Sequence, residues 1–303
     1  MTYLLNTLFA TLVPMCVTAM VTMAITLIFK TSSTTNFAQG VISAFGAYFV
    51  SYFMGEKVGL SIWIAMPIGV VASTLVAVLI DVGIFRRGRY VNAVGKQIIT
   101  MGLISIIVSV IPMIFGMTQP SINKFVSGNV QFKGALEGLV VTNNALTCVG
   151  ITVAVLGVIF ILLRFSKWGL TVRATASNEY VAGMMGINTH VVTAITWGLA
   201  GALGALAATM LASENASISV YFMTNYQVYA FLAGILGGFA TFYGPVIAGV
   251  AIPLINGLVI WALNMLGLSE YSGWSMVIVY AIALIIIFFK PQGLFGKRIA
   301  KKV

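Results

Sequence analysis

About nine times along this chain, apolar side chains run on for roughly twenty positions with almost no charge among them. The runs fall at 4–29, 37–54, 58–84, 98–116, 142–163, 191–212, 226–241, 243–266 and 273–289. A helix of about twenty residues spans the ~30 Å of hydrocarbon in a bilayer. It also satisfies its own backbone hydrogen bonds, which lipid cannot do. Strands of a membrane barrel would alternate over about ten residues, and these runs do not alternate. Only 7% of the residues are charged, where a soluble domain carries about 25%. That is too little charge to cover a water-facing surface. The sequence therefore predicts an all-α integral membrane protein: one transmembrane domain over 1–303, a polytopic bundle of about 8–9 transmembrane helices in which 37–54 and 226–241 are short. No cation precedes the first run; the first is Lys30. The first run is thus expected to be a retained span rather than a secretory signal.

The net charge of +10 would suggest nucleic acid in a soluble protein. Here it predicts no nucleic-acid partner, because the cations cluster as membrane topology requires. Arg86, Arg87, Arg89 and Lys96 follow the third run. Arg164, Lys167 and Arg173 follow the fifth. Lys290, Lys297, Arg298, Lys301 and Lys302 lie in the tail 290–303. Apart from Lys30, only Lys57, Lys124 and Lys133 remain for the other face. The positive-inside bias then predicts that the 86–96 and 164–190 loops and the C-terminus are cytoplasmic and the 117–141 loop extracytoplasmic. The side of the N-terminus depends on the polar run Thr31–Asn36. As an ordinary cytoplasmic turn it would leave the N-terminus outside; as the interruption of one membrane-embedded unit it would allow the N-terminus inside.

Chemistry of its own is sparse. No phosphate-cradling glycine motif occurs, and His190 is the single histidine. No acidic or cysteine cluster accompanies it, so no metal site or cofactor is expected. Cys16 and Cys148 lie in apolar runs and read as buried thiols. Of the six acids, Glu56, Glu137 and Glu270 fall in outer loops and Glu214 at an outer helix end. Asp81 lies a turn before Arg86, where a cation can pair with it, and Glu179 lies in the 164–190 segment. None sits clearly at mid-membrane, where ion-coupled transporters keep their relays. The chain carries no catalytic constellation and no engine, so it is expected not to be an enzyme. Gly198, Gly201, Ala202, Ala205 and Ala208 recur at three- and four-residue spacings and predict close helix packing. There is no convincing internal repeat.

The stretch TVRATASNEYVAGMMGINTH (171–190) is too polar to span and too helical to be a plain loop. Ser177 is placed to cap a short helix over about 178–185. Glu179 falls in its first turn, suited to the helix dipole. Gly186 suits the left-handed position after it, and Ile187 can cover the end. Tyr180, Val181, Met184 and Met185 form one apolar face. A helix this short is marginal alone, so that face needs the membrane domain's own rim, a partner's groove, or the lipid interface.

Four pieces together resemble the permease subunits of branched-chain amino acid ABC importers, of the first of their two permease types. They are NFAQGVISAFGAYF (36–49), RATASNEYVAGMMGIN (173–188), GGFATFYGPVIAG (237–249) and KPQGLFG (290–296). The family's basic loop usually reads like Tyr-Arg-Pro-Leu-Arg; here FRRGRYVNAVGK lacks the proline. The resemblance implies a second, homologous permease, two cytoplasmic ATPases and an extracytoplasmic solute-binding protein as partners. It also implies a multi-pass location in the bacterial inner membrane. The solute it implies is a branched-chain or other hydrophobic amino acid; related permeases carry urea, amides, simple sugars or nucleosides. A stand-alone secondary transporter or channel is the competing reading. On the resemblance, Arg173, Ser177, Asn178, Glu179, Tyr180, Met184, Gly186, Ile187 and Asn188 couple the chain to the ATPases. Thr34, Asn36, Gln39 and Ser43 are polar groups expected to face the bundle along the translocation path, and Gly198, Gly201 and Ala205 to pack helices.

Overall fold

The computed structural model describes residues 2–55, 58–88, 91–131, 138–215 and 217–296. Glu56, Lys57, Arg89, Lys133, Glu137, Lys297, Arg298, Lys301 and Lys302 lie outside the described residues. In chain order come α1 (Thr2–Ala10), α2 (Leu12–Ser32), α3 (Gln39–Met54), α4 (Ile62–Ile80) with a π-helical turn Asp81–Phe85, and α5 (Ala93–Phe115). A two-stranded hairpin follows, β1 (Asn129–Gln131) and β2 (Val140–Thr142), with Val130 opposite Val141. Then come α6 (Asn143–Phe165), α7 (Lys167–Ser177), α8 (Glu179–Met184), α9 (Thr189–Glu214), α10 (Thr224–Gly237), α11 (Tyr243–Met265) and α12 (Ser275–Phe289).

Among the described residues, seven helical stretches are long and apolar enough to cross a membrane. The two short apolar runs form α3 and α10, of 16 and 14 residues. At 1.5 Å per residue these reach only about 24 and 21 Å, less than a full bilayer. The protein is thus an all-α polytopic membrane protein.

The centre of the bundle is the pair α2 and α9, with α3 and α4 against α9 and α10 and α11 against α2. Thr18, Thr22 and Thr26 are fully buried on α2. Each hydroxyl donates to the carbonyl four residues back: Pro14 O at 2.8 Å, Thr18 O at 2.6 Å and Thr22 O at 2.7 Å. An unpaired buried hydroxyl is costly, and this local bond removes the cost without a neighbouring helix.

Small residues let the central helices approach. A Cβ on Gly201 of α9 would stand 2.6 Å from Ser73 O of α4. One on Gly46 of α3 would stand 2.5 Å from Ala205 Cβ of α9. Gly198 faces Val78, at 3.0 Å by the same measure. Ser73, fully buried, donates to Ile42 O and Gly201 O, both at 3.0 Å, and so ties α4 to α3 and α9.

A repeat that the sequence hides is present in the packing. The two long central helices run antiparallel: Thr31 meets Thr196 at 2.9 Å, while Thr152 of α6 touches both Met20 and Met210. After α2 the chain breaks and returns as short α3 beside α9. After α9 it breaks and returns as short α10 beside α2. Then α4 packs on α3 and α9, as α11 packs on α10 and α2. The series α2–α4 and α9–α11 therefore repeat one order of contacts with their long helices antiparallel, the arrangement of inverted-topology repeats. The expectation of no internal repeat is corrected. Packing depends on residue size and polarity at a few crossings, which two diverged halves keep without keeping letters.

The N-terminus is placed by Asn6. Its side chain donates to Gly138 O at 3.0 Å and accepts from Val140 N at 2.8 Å. It lies on the same side as the 117–142 connection, opposite α7 and α8.

Overpacking one crossing tests this arrangement. Gly201→Leu drives a side chain into α4 backbone and should cost about 1–3 kcal/mol, while Gly150→Leu, with nothing within 4 Å of its Cβ position, should be near neutral. Melting in detergent, followed by size-exclusion fluorescence, compares the two; equal melting temperatures would refute the tight crossing.

Candidate coupling and translocation elements

The segment between α6 and α9 is a stack of two small helices, not one. Ser166 closes α6 and opens α7: its hydroxyl donates to Leu162 O at 2.6 Å and accepts from Gly169 N at 2.9 Å. Gly169 lies so close to the Leu162 and Leu163 carbonyls that a side chain would not fit. On α7, Arg173 turns its guanidinium back to the Leu163 carbonyl and to Arg164 O at 3.4 Å. A cation here satisfies orphan carbonyls at a helix C-terminus and complements its dipole. The short helix expected from the sequence had no room for α7; the low hydropathy of KWGLTVRATAS concealed a helix that rests on another.

The cap of α8 is Asn178, not Ser177. Val181 N donates to Asn178 Oδ1 at 3.0 Å, while Ser177 is the last residue of α7. Ser and Asn cap almost equally well. The choice is made by backbone: Asn178 is extended (φ −162°, ψ 110°) and separates the two helices. The helix is six residues, shorter than the 178–185 expected, with Glu179 in its first turn. Its far end is a complete Schellman motif. Ile187 N donates to Ala182 O and Gly186 N to Gly183 O, both at 3.1 Å, with Gly186 at φ +85°. Asn188 then caps α9, accepting from Val191 N at 3.3 Å.

Only Ala182 of α8 is buried. Tyr180, Met184 and Met185 are 73%, 68% and 79% exposed. The apolar face therefore does not rest on the chain's own rim. Beneath the helix is a polar cavity of about 130 Å³ lined by Glu179, His190, Thr193, Asp81, Arg86 and Lys96, with Ser32 at its inner wall. Asp81 is buried and receives a hydrogen bond from Thr193 at 3.4 Å. It starts the π-helical turn, an irregularity that often marks functional sites. Ser32 is the last residue of α2 and accepts from Trp197 Nε1 at 3.3 Å.

One residue further, the chain leaves the helix: Ser33 is left-handed (φ 48°) and 33–38 are irregular. Thr34, Asn36 and Ser43 are fully buried, and Gln39 is 1% exposed. This is not an ordinary solvent-facing turn. Irregular backbone at membrane depth persists only where protein covers it, and here three helices do. Thr100 of α5 accepts from Phe37 N at 3.2 Å, and Gln97 donates to Thr35 at 2.7 Å. Gln39 donates to Ala200 O of α9 at 2.9 Å. From α10, Gln227 donates to Phe37 O at 2.6 Å and accepts from Gly40 N. Within the turn, Asn36 accepts from Ala38 N at 3.0 Å and donates to Gln39 Oε1 at 3.2 Å. The initial turns of the two short helices thus meet across Gln227. Sequence reasoning passed over Gln227; its signal is a lone carboxamide at the start of the second short run.

Comparison with known proteins agrees with this architecture. A family model described as the permease component of the branched-chain amino acid transport system matches residues 7–287. The chain belongs to that family. It is a permease component of an ATP-binding-cassette importer. It is similar to the high-affinity branched-chain amino acid permease BraD of Pseudomonas aeruginosa, 22% identical over 294 residues, covering 94% of this chain and 93% of BraD. It is likewise similar to LivH of Escherichia coli K12, 24% identical over 298 residues, with 94% and 93% covered. A shorter similarity, 27% over 137 residues, covers 43% of this chain and 42% of the ribose import permease RbsC of Escherichia coli K12. Among solved structures, PsaBC from Streptococcus pneumoniae in complex with Fab shares the fold. The TM-score is 0.53 at 15% identity, over 93% of this chain and 91% of that one.

The cap assignment is open to a direct measurement. Asn178→Ala should cost α8 about 1 kcal/mol, seen as roughly fivefold faster hydrogen exchange across 179–184, whereas Ser177→Ala leaves that exchange unchanged. A faster rate in the serine variant alone would reverse the assignment.

Proposed function

We propose that this permease domain, over 1–303, conducts a branched-chain or other hydrophobic amino acid across the bacterial inner membrane. In this reading it pairs with a second, homologous permease. Two cytoplasmic ATPases supply the energy, and an extracytoplasmic binding protein delivers the solute. The C-terminus and the α7–α8 segment face the cytoplasm, as the cation distribution favours.

The observation that carries the coupling role is the outward apolar face of α8. A helix locked at both ends presents Tyr180, Met184 and Met185 to its surroundings. An apolar helix face entering a partner's groove is a common binding mode, and methionine suits a contact that moves. Glu179, Gly186, Ile187 and Asn188 shape the helix and its exit. Arg173 ties α7 to the end of α6, Ser177 ends α7, and Asn178 caps α8. The buried turn at Thr34, Asn36 and Gln39, with Ser43 above it, is the element of the translocation path most able to change, since half-helix ends line substrate sites in other transporters. The RbsC similarity, confined to less than half of the chain, supports a simple sugar as the second solute class.

Reconstitution with the ATPases and binding protein tests the reading. Met184→Glu or Gly186→Val should abolish solute uptake while ATP hydrolysis and membrane insertion persist. Normal uptake in both variants, or uptake by this chain alone in proteoliposomes, would sink it. Solutes are distinguished by thermal shift of the binding protein with leucine against ribose.

A further inference from the structure

A second charged cleft shares no lining residue with the cavity beneath α8. It has a volume of about 550 Å³ and opens between the last turn of α6 and the first turn of α11. Arg164 and Arg173 stand on one wall. Thr241, Phe242 and Tyr243 form the other, and Phe160 and Leu163 close the apolar end. Among the described residues no carboxylate lines it. Lys30 adds a third cation at the margin, its ammonium 4.9 Å from the centre of the Phe242 ring and donating to Ala240 O at 2.9 Å. Arg164 lies with its guanidinium 5.3 Å from the Phe165 ring centre, and no carboxylate partners it among the described residues. Arg173 is held in place by the carbonyls at the end of α6.

Three properties select the ligand. Two guanidinium groups without an acid call for an anion, and their planar forks match phosphate oxygens. The cleft grades from cations to an apolar end within one volume, which suits a molecule charged at one end and oily at the other. It sits where two apolar spans reach the membrane boundary, on the side rich in cations, the setting in which basic pockets between helices hold anionic lipid headgroups. We propose that this cleft binds the phosphate headgroup of an anionic phospholipid, with an acyl chain running along Phe160 and Leu163. The headgroup then bridges α6, α7 and α11. Because α7 carries α8, the lipid fixes the base on which the exposed helix stands. This proposal is independent of the solute.

The test uses the full chain, purified in detergent, delipidated, and offered phosphatidylglycerol or phosphatidylcholine in mixed micelles, with bound lipid counted by native mass spectrometry. Phosphatidylglycerol should be retained over phosphatidylcholine. Arg164→Gln should lower that retention about fivefold, one surface-proximal cation's worth, with an unchanged elution profile. Arg87→Gln, a cation on the same side but outside the cleft, should leave it unchanged. If Arg164→Gln aggregates, Arg164→Lys keeps the charge but loses the fork and should give an intermediate retention. Equal retention of both lipids, or equal losses in the Arg164 and Arg87 variants, overturns the site. Full displacement by millimolar inorganic phosphate would assign it to a free anion instead. Protection of Arg164 from labelling only when the ATPases are added would assign it to an acidic partner surface.

Discussion

Backbone that leaves a helix within a bilayer has no water to turn to, so it must be roofed by protein on every side. The six residues 33–38 impose that condition on the rest of the molecule. The Phe37 amide and carbonyl are met by Thr100 from α5 and Gln227 from α10, and Gln39, the first residue of α3, reaches α9. Those helices must come close, and glycines let them: a Cβ on Gly40 of α3 would stand 2.7 Å from Gln227 Oε1, and one on Gly204 of α9 would stand 2.7 Å from Gln39 Nε2.

The same constraint explains the inversion between the two halves. A short helix such as α3, at about 24 Å, leaves about 6 Å of the ~30 Å of hydrocarbon to be filled by something else. Here α10 approaches from the other direction, and the two initial turns share one glutamine side chain. Neither short helix is complete without the other. The polar cavity beneath α8 ends at Ser32, the residue before the break. A displacement at α8 therefore has a contiguous route to the turn: through Asp81 and Thr193 to the Thr31–Thr196 and Ser32–Trp197 contacts.

Much of this was legible in the sequence because hydrocarbon imposes it residue by residue. Among the described residues the nine apolar runs all fall mainly on helix, the two short runs stay short, and Thr31–Asn36 overlaps the break at 33–38. Gly186, followed by Ile187, stands at a left-handed helix exit. What was not legible depends on partners distant in the chain. Ser177 and Asn178 are nearly equivalent caps, and only the path of the backbone decides between them. The α7 helix has no apolar face strong enough to announce it; it exists because Ser166, Gly169 and Arg173 fold it onto α6. Gln227 looks like an isolated polar residue until Gly40 and Phe37 are placed beside it, and the inverted repeat is a property of crossings rather than of letters.

The threonines of α2 carry a mechanical consequence. Thr18, Thr22 and Thr26 direct their hydroxyl protons to α2's own carbonyls, so along most of its length this central helix is not fastened to its neighbours by hydrogen bonds through them. What surrounds it there is chiefly alkyl, thioether and glycine surface, and the polar contact it receives there is the weak one of the Thr152 hydroxyl on Met20 Sδ at 3.6 Å. The cross-helix fastening lies at one end, where Thr31 meets Thr196 and Ser32 meets Trp197. The centre of this bundle is built as a smooth shaft with its latch at the end nearest α8.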